Sequence, residues 1–400
     1  MDSRFSYSIA IAVIAATAAA ISVHVTVAAS QTQASREAMK TPWGDPDLQG
    51  IWTEDFDTPF QRPAKYASQE FFTEAQRAEL DNRRSALLAR LGTEPNFAEG
   101  YNLAVFTSVK RTGARTSLVV DPPNGRIPPR TEAARQSAAA DRQFFLALLQ
   151  ATEACKTKAP QCSGGTYDPT PSPRRAELPP RYNARDFGRI NRYDGPEDGS
   201  LLDRCLTVGL PEFGTAFGGS FRRIVQTPGG ISMFYDAAQG DSWQRNIVMN
   251  GSPHLPANIR QWSGDSRGHW EGDTLVIDVT NFSPKTDFEG SRENLHLVER
   301  WTRSSPSTLE YEVTIEDPTT WTRAWTVKQE FTKQSDQENR IYYEPRCIEG
   351  NYAFPSMMLA ARQADLAFAQ GRGPDPATQN KLGSLVDVDQ SIVDEVIWNP

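Results

Sequence analysis

The 400-residue chain has only four cysteines and four histidines, and beyond its N-terminus it has no long apolar run. Each scarcity excludes something. Without a second apolar stretch of about 20 residues, no further helix can cross a bilayer. Basic residues are never concentrated: 42 Lys and Arg stand against 50 Asp and Glu, a formal net charge of −8. Nucleic acid and anionic membrane surfaces reward a dense basic patch, so neither is the expected partner. No CxxC occurs, no His stands at ligand spacing from a Cys, and no two His are spaced i, i+2 or i, i+4. A metal site is therefore not expected. Walker A, G-x-G-x-x-G and H-E-x-x-H strings are also missing, so no resident cofactor is expected.

What is present begins with an export signal. Arg4 supplies a positive start, Ile9–Ala29 is apolar and rich in Ala, and TVAAS (Thr26–Ser30) offers a small-x-small cleavage site. Residues 1–29 are read as a signal peptide, which leaves a periplasmic or secreted mature protein with no stable membrane span. The cysteines fit that compartment. Four cysteines allow three pairings, and spacing does not choose among them; Cys155–Cys162 with Cys205–Cys347 is the preferred set.

A polar linker covers 30–40. Residues 41–220 read as a helical and loop-rich segment packed on a C-terminal β region. Within it, Thr73–Gly92 is a helix opened by a Thr73/Gln76 capping box. Thr131 caps a second helix that runs to about Thr152. From Phe221 the pattern changes to eight short runs rich in Val, Ile, Thr and aromatics, divided by turn residues. The last of them is NRIYYEPRC. Such spacing predicts a mainly β fold: an antiparallel lipocalin-like barrel, or a curled meander sheet with accessory helices, over 221–350. A C-terminal helix near Ser356–Gln370 and an acidic tail complete 351–400.

Several long motifs carry a resemblance. PWGDPDLQGIW, VDPPNGRIPP, IRQWSGDSRGHWEGDTLVIDVTNF, LHLVERWTR and EGNYAFP resemble those of a family of exported bacterial proteins whose activity is uncharacterised. The likeness covers most of the mature chain and implies export, but no reaction. Gly50-x-Trp52 also resembles the opening strand of lipocalins, where a Trp plugs one barrel end.

Strand alternation sorts the candidate residues by face. Leu295, Leu297, Glu299 and Trp301 share a face, as do Leu309, Tyr311, Val313, Ile315 and Asp317. Arg323, Trp325, Val327, Gln329 and Phe331 share another. If these faces point inward, Glu299 is a carboxylate among apolar groups and must be protonated or paired. Arg323 is the expected partner of Glu299 or Asp317, either as a structural ion pair or as part of an acid–base site.

His254 lies in a proline-flanked loop, GSPHLPANIR, expected to aim the imidazole inward at a barrel mouth. Asp265–Glu271 is expected to form a charged hairpin loop there. Trp262, Asp265, Arg267 and Trp270 would then line the mouth, with Trp301, Tyr311 and Trp325 inside. The expected ligand is a hydrophobic or aromatic small molecule. An enzyme of this kind would run cofactor-free acid–base chemistry on it (elimination, isomerisation, cyclisation or hydration) through His254, Glu299 and Arg323. The alternatives are a non-catalytic periplasmic ligand-binding or envelope protein, and a carbohydrate-binding module.

Overall fold

A computed structural model of the chain describes residues 39–91, 110–159, 162, 164–182, 191–201, 204–207, 209–213, 220–237, 242–335 and 353–379. The expected signal peptide, Cys347 and the run NRIYYEPRC lie outside the described residues. No helix among the described residues is long and apolar enough to cross a membrane.

The protein is mainly β. Strands β1 (Gly50–Thr53), β2 (Phe56–Asp57), β3 (Arg111–Thr112) and β4 (Val119–Asp121) come from the N-terminal half. They are succeeded by β5 (Ser220–Thr227), β6 (Gly230–Ala237), β7 (Ser242–Val248), β8 (Asp265–Glu271) and β9 (Thr274–Thr280). The last three are β10 (His296–Ser305), β11 (Thr308–Glu316) and β12 (Trp325–Lys333). Nine strands close into a barrel in the order β1, β5 to β12, because β12 pairs back onto β1 at Lys333↔Trp52 and Thr332↔Thr53. At its other end β12 pairs instead with β4, a tenth strand outside the ring.

Two features depart from the expected architecture. The barrel is not confined to 221–350, since β1 closes it from the N-terminal segment. The sheet is also not wholly antiparallel: β7 and β8 are parallel neighbours at Val248↔Arg267. A parallel pair requires the chain to cross from one barrel end to the other. Residues 249–264 make that crossing over the outside of the barrel. Tight turns at Gly272–Asp273 and Pro306–Ser307 form one end, where Gly272 has φ +62°. Longer connections, 281–295 and 317–324, gather at the other.

The expected hairpin loop at Asp265–Glu271 is strand β8. DSRGHWE lacks β-branched residues, and its Gly and Ser read as turn formers. Packing overrides that propensity. A Cβ at Gly268 would meet Met249 Sδ at 2.4 Å and Ile247 Cγ2 at 2.7 Å. Glycine therefore lets β7 and the start of the crossover approach β8 closely.

Four helices stand outside the barrel among the described residues: α1 (Glu74–Leu91), α2 (Glu132–Leu149), α3 (Glu153–Lys156) and α4 (Ala353–Ala369). The capping box opens α1, with Thr73 N donating to Gln76 Oε1 at 2.8 Å and Gln76 N to Thr73 Oγ1 at 3.2 Å. Thr131 caps α2 by accepting from Ala134 N at 3.1 Å. Arg181, Asp141, Asp287 and Arg292 form an alternating cluster that ties α2 to the connection after β9. Cys155 and Cys162 form a disulfide just beyond α2. Cys205 is also disulfide-bonded.

Candidate functional site

The barrel interior is built by alternation. Ile277 and Val279 on β9, Leu297, Glu299 and Trp301 on β10, Tyr311 and Val313 on β11, and Val327 and Phe331 on β12 are all buried, the apolar ones in one cluster. Register aligns them in rows: Glu299 lies opposite Ile277 and Val313, and Trp301 opposite Leu275 and Tyr311. Glu299, Trp301 and Tyr311 thus point inward as alternation predicts, and Glu299 has 0% exposure.

Its partner is Arg245 of β7, not Arg323. Arg245 Nη1 donates to Glu299 Oε1 at 3.2 Å and Nη2 to Oε2 at 2.8 Å. Tyr311 Oη donates to Oε1 at 3.1 Å. Arg245 Nη1 also reaches Tyr235 Oη at 3.2 Å, and Nε donates to Ser266 Oγ at 2.9 Å. Burial works against the Arg245 cation, but the adjacent Glu299 outweighs it and pushes the guanidinium pKa up. Burial, reinforced by Glu299, raises Tyr311 well above the ordinary phenol value, and burial raises Tyr235. Both phenols stay protonated, and every Glu299 oxygen is already engaged.

Arg323 lies in the turn before β12, where strand alternation has not yet begun. Its half-exposed side chain pairs with Asp121 outside the barrel. Arg245 was discernible in sequence as a lone cation sharing a face with Trp243 and Ile247, but the partner lies 54 residues away.

A second buried pair sits nearby. Arg222 of β5 contacts the Glu212 carboxylate and donates to the Glu212 carbonyl oxygen at 3.0 Å. Its guanidinium stacks 4.5 Å from the Tyr235 ring centroid and 5.3 Å from that of Phe331. Glu212 belongs to a segment that reaches the loop end of the barrel. There Phe213 packs on Phe60 at 5.2 Å and Tyr311 at 6.4 Å, while Trp325 meets Phe60, Phe288 and Trp321. Trp52 is buried toward the turn end, with Lys333 and Arg303 over its ring.

Not all interior polar groups are matched. Trp301 Nε1, Trp243 Nε1, Trp325 Nε1 and both amide atoms of Gln329 are buried with no hydrogen-bond partner among the described residues. Left without any partner, each would cost about 1–3 kcal/mol.

The histidine and the charged mouth residues lie elsewhere. His254 does not point into the barrel. It pins the crossover to the outer wall, with Nδ1 2.8 Å from Asp265 Oδ2 and Nε2 2.9 Å from Asp278 Oδ1. The reason is topological, since a parallel β7–β8 pair puts this loop outside. Asp265 also accepts from Leu255 N at 3.0 Å and Arg267 Nε at 3.0 Å, so Asp265 and Arg267 face outward. Trp262 packs beside Tyr182 and Arg204 on the crossover. Trp270 alone of the four packs against the barrel core, half-buried.

Gly264-Asp265-Ser266-Arg267-Gly268 fits the G-x-S-x-G string that marks some hydrolase nucleophiles. The geometry rejects that role. The string opens a strand rather than a strand-to-helix elbow, and the Ser266 hydroxyl accepts from Arg245 while His254 lies on the opposite face with Asp265.

The outer chain continues through His296, whose Nε2 is 3.2 Å from Asp278 Oδ2 and whose Nδ1 is 3.4 Å from Glu316 Oε2. The hydrogen bond to Asp278 raises the His296 pKa above 6.5 against some burial, and the same bond lowers Asp278 below 3.8. For a raised histidine, the stabilisation is complete below its unfolded value and is lost as pH rises through the folded one. For a lowered aspartate, it is lost as pH falls through the folded value. The pair therefore works between these two limits. We expect the difference in melting temperature between wild type and His296→Asn to be largest near pH 5–6 and to shrink as pH rises past the folded His296 value. A difference that stays constant from pH 5 to 9 would contradict the linkage.

Among the described residues, no group of three or more His, Cys, Asp or Glu side chains is placed to hold a metal ion. No family model and no curated relative matches the chain. Among solved structures the chain is similar to a secretary abundant heat soluble (SAHS) protein from Ramazzottius varieornatus. That match has 13% identity and a TM-score of 0.21, over 29% of this chain and 72% of the other. Superposition at that level bears on neither fold nor function.

Proposed function

We propose that the protein is an exported, lipocalin-like barrel that encloses an apolar or aromatic small molecule and holds it without transforming it. The observation that carries this reading is the unmatched Gln329 amide and Trp301 indole N–H inside an aromatic interior. Core polar atoms are nearly always partnered, so these buried groups call for a partner such as a bound molecule or an ordered water. Binding is favoured over acid–base catalysis because both Glu299 oxygens are already held by Arg245 and Tyr311. His254 and Arg323 stand outside the barrel wall. Export is supported by the N-terminal apolar segment and by the Cys155–Cys162 bridge, which suits an oxidising compartment.

The test uses protein purified from the exported fraction. On denaturation it is expected to release a small aromatic molecule, detected by mass spectrometry at near one equivalent. Stripped protein is expected to rebind neutral aromatics at concentrations below about 1 mM. Protein that releases nothing and rebinds none of them would dismiss the proposal.

A further inference from the structure

Gln329 sits on β12 between Val327 and Phe331, directly opposite Tyr311, and is only 6% exposed. Among the described residues neither its Nε2 nor its Oε1 has a partner. The Tyr311 hydroxyl hydrogen is committed to Glu299, and the adjacent Lys328 lies on the other face with Glu312, so neither donates to the amide oxygen. Trp301 is two strands away on the same inward row, Trp301↔Tyr311↔Gln329, and its Nε1 is also unpartnered. Along this row the unmet groups are one acceptor, the Gln329 carbonyl, and the N–H donors of Gln329 and Trp301.

Charge narrows the ligand further. Arg245 is matched by Glu299 and Arg222 by Glu212, so these buried cations already have their counter-charges. An ionic ligand would bring an unbalanced charge into a low-dielectric interior. The surroundings narrow it again. The Trp301 ring packs on Tyr311 at 4.2 Å and on Phe331 at 5.8 Å, centroid to centroid, so the groups around Gln329 are aromatic and favour an aromatic partner.

We infer that the barrel selects a neutral, planar aromatic molecule bearing a lactam or an equivalent adjacent N–H and C=O pair, and that Gln329 reads that pair. A primary amide and a cis lactam are complementary along one edge, each donating one N–H and accepting one. Trp301 Nε1 supplies a further donor for the lactam carbonyl. The inference rests on the barrel-binding reading. It adds that the unpartnered amide is kept for recognition at a cost in stability.

Equilibrium dialysis of the full chain against 2-quinolone and naphthalene tests it, since both are neutral bicyclic aromatics and only the first has the lactam edge. Wild type is expected to bind 2-quinolone at least about tenfold more tightly, the equivalent of one well-made hydrogen bond. Gln329→Met, close in volume and apolar, is expected to abolish that preference and leave naphthalene affinity within about twofold. Without ligand the variant is expected to melt at a higher temperature, because it removes an unsatisfied buried amide. Gln329→Leu should behave in the same way. A wild type without preference, a variant that keeps the preference, or variants that both melt lower would overturn the role of Gln329 while leaving the barrel reading intact. Binding of neither probe to wild type would overturn both.

Discussion

Glu299→Gln is expected to lower unfolding free energy by about 3–5 kcal/mol, a large share of the stability of an ordinary domain. The side chain keeps its shape, so the loss is not a packing loss. It arises because the Arg245 guanidinium stays where it is, buried, with its bidentate carboxylate gone. Tyr235 and Ser266 engage that guanidinium through neutral oxygens and cannot balance its charge. Tyr311 loses its charged acceptor at the same time. Urea denaturation measures the effect. A loss under about 1 kcal/mol would mean that Arg245 finds another counter-charge.

Replacing both partners with Met separates charge from shape. Arg245→Met with Glu299→Met removes the desolvation cost of both ions, so the double variant is expected to be close to wild type or more stable. The comparison also bears on function. If the pair only organises the interior, the folded fraction of Glu299→Gln keeps its ligand affinity. A general base at this position would instead show itself as lost turnover with retained binding.

The strands after Phe221 were legible because their inward positions are apolar and β-branched, and alternation then carries Glu299, Trp301 and Tyr311 with it. β8 was not legible, because Ser266 and Gly268 face inward there and alternation has no apolar signal to track. Arg323 was misplaced because alternation was extended two residues beyond the strand, which begins at Trp325. The Arg245–Glu299 pair is a different kind of gap. Each residue can be placed on a face from local pattern, yet their meeting depends on barrel closure and on the β7-to-β8 crossover. The crossover also decides that His254 pins the outer wall. Whether successive strands run parallel is a property of the connection's path, and composition alone does not encode it.

Trp52→Ala is expected to cost about 3–5 kcal/mol and to loosen the barrel at its closure. β1 has only four residues, yet it alone joins β5 to β12 in the ring. The Trp52 ring is fully buried, and its Nε1 donates to Leu48 O at 2.8 Å, which folds the preceding turn against the strand. Arg303 lies 5.6 Å and Lys333 5.7 Å from the ring centroid, so two strands lay a cation over the same indole. Removing it leaves a cavity, an unmet carbonyl and two cations without their aromatic face. Trp52→Phe keeps much of the ring but loses the N–H, and is expected to cost nearer 1 kcal/mol. Hydrogen exchange gives the local readout. In Trp52→Ala the amides that join β1 to β5 and β12 should lose protection well before those between β10 and β11, which pair over most of their length. Uniform loss of protection across all strands would mean that closure at β1 is not a separate step and that Trp52 acts only as core volume.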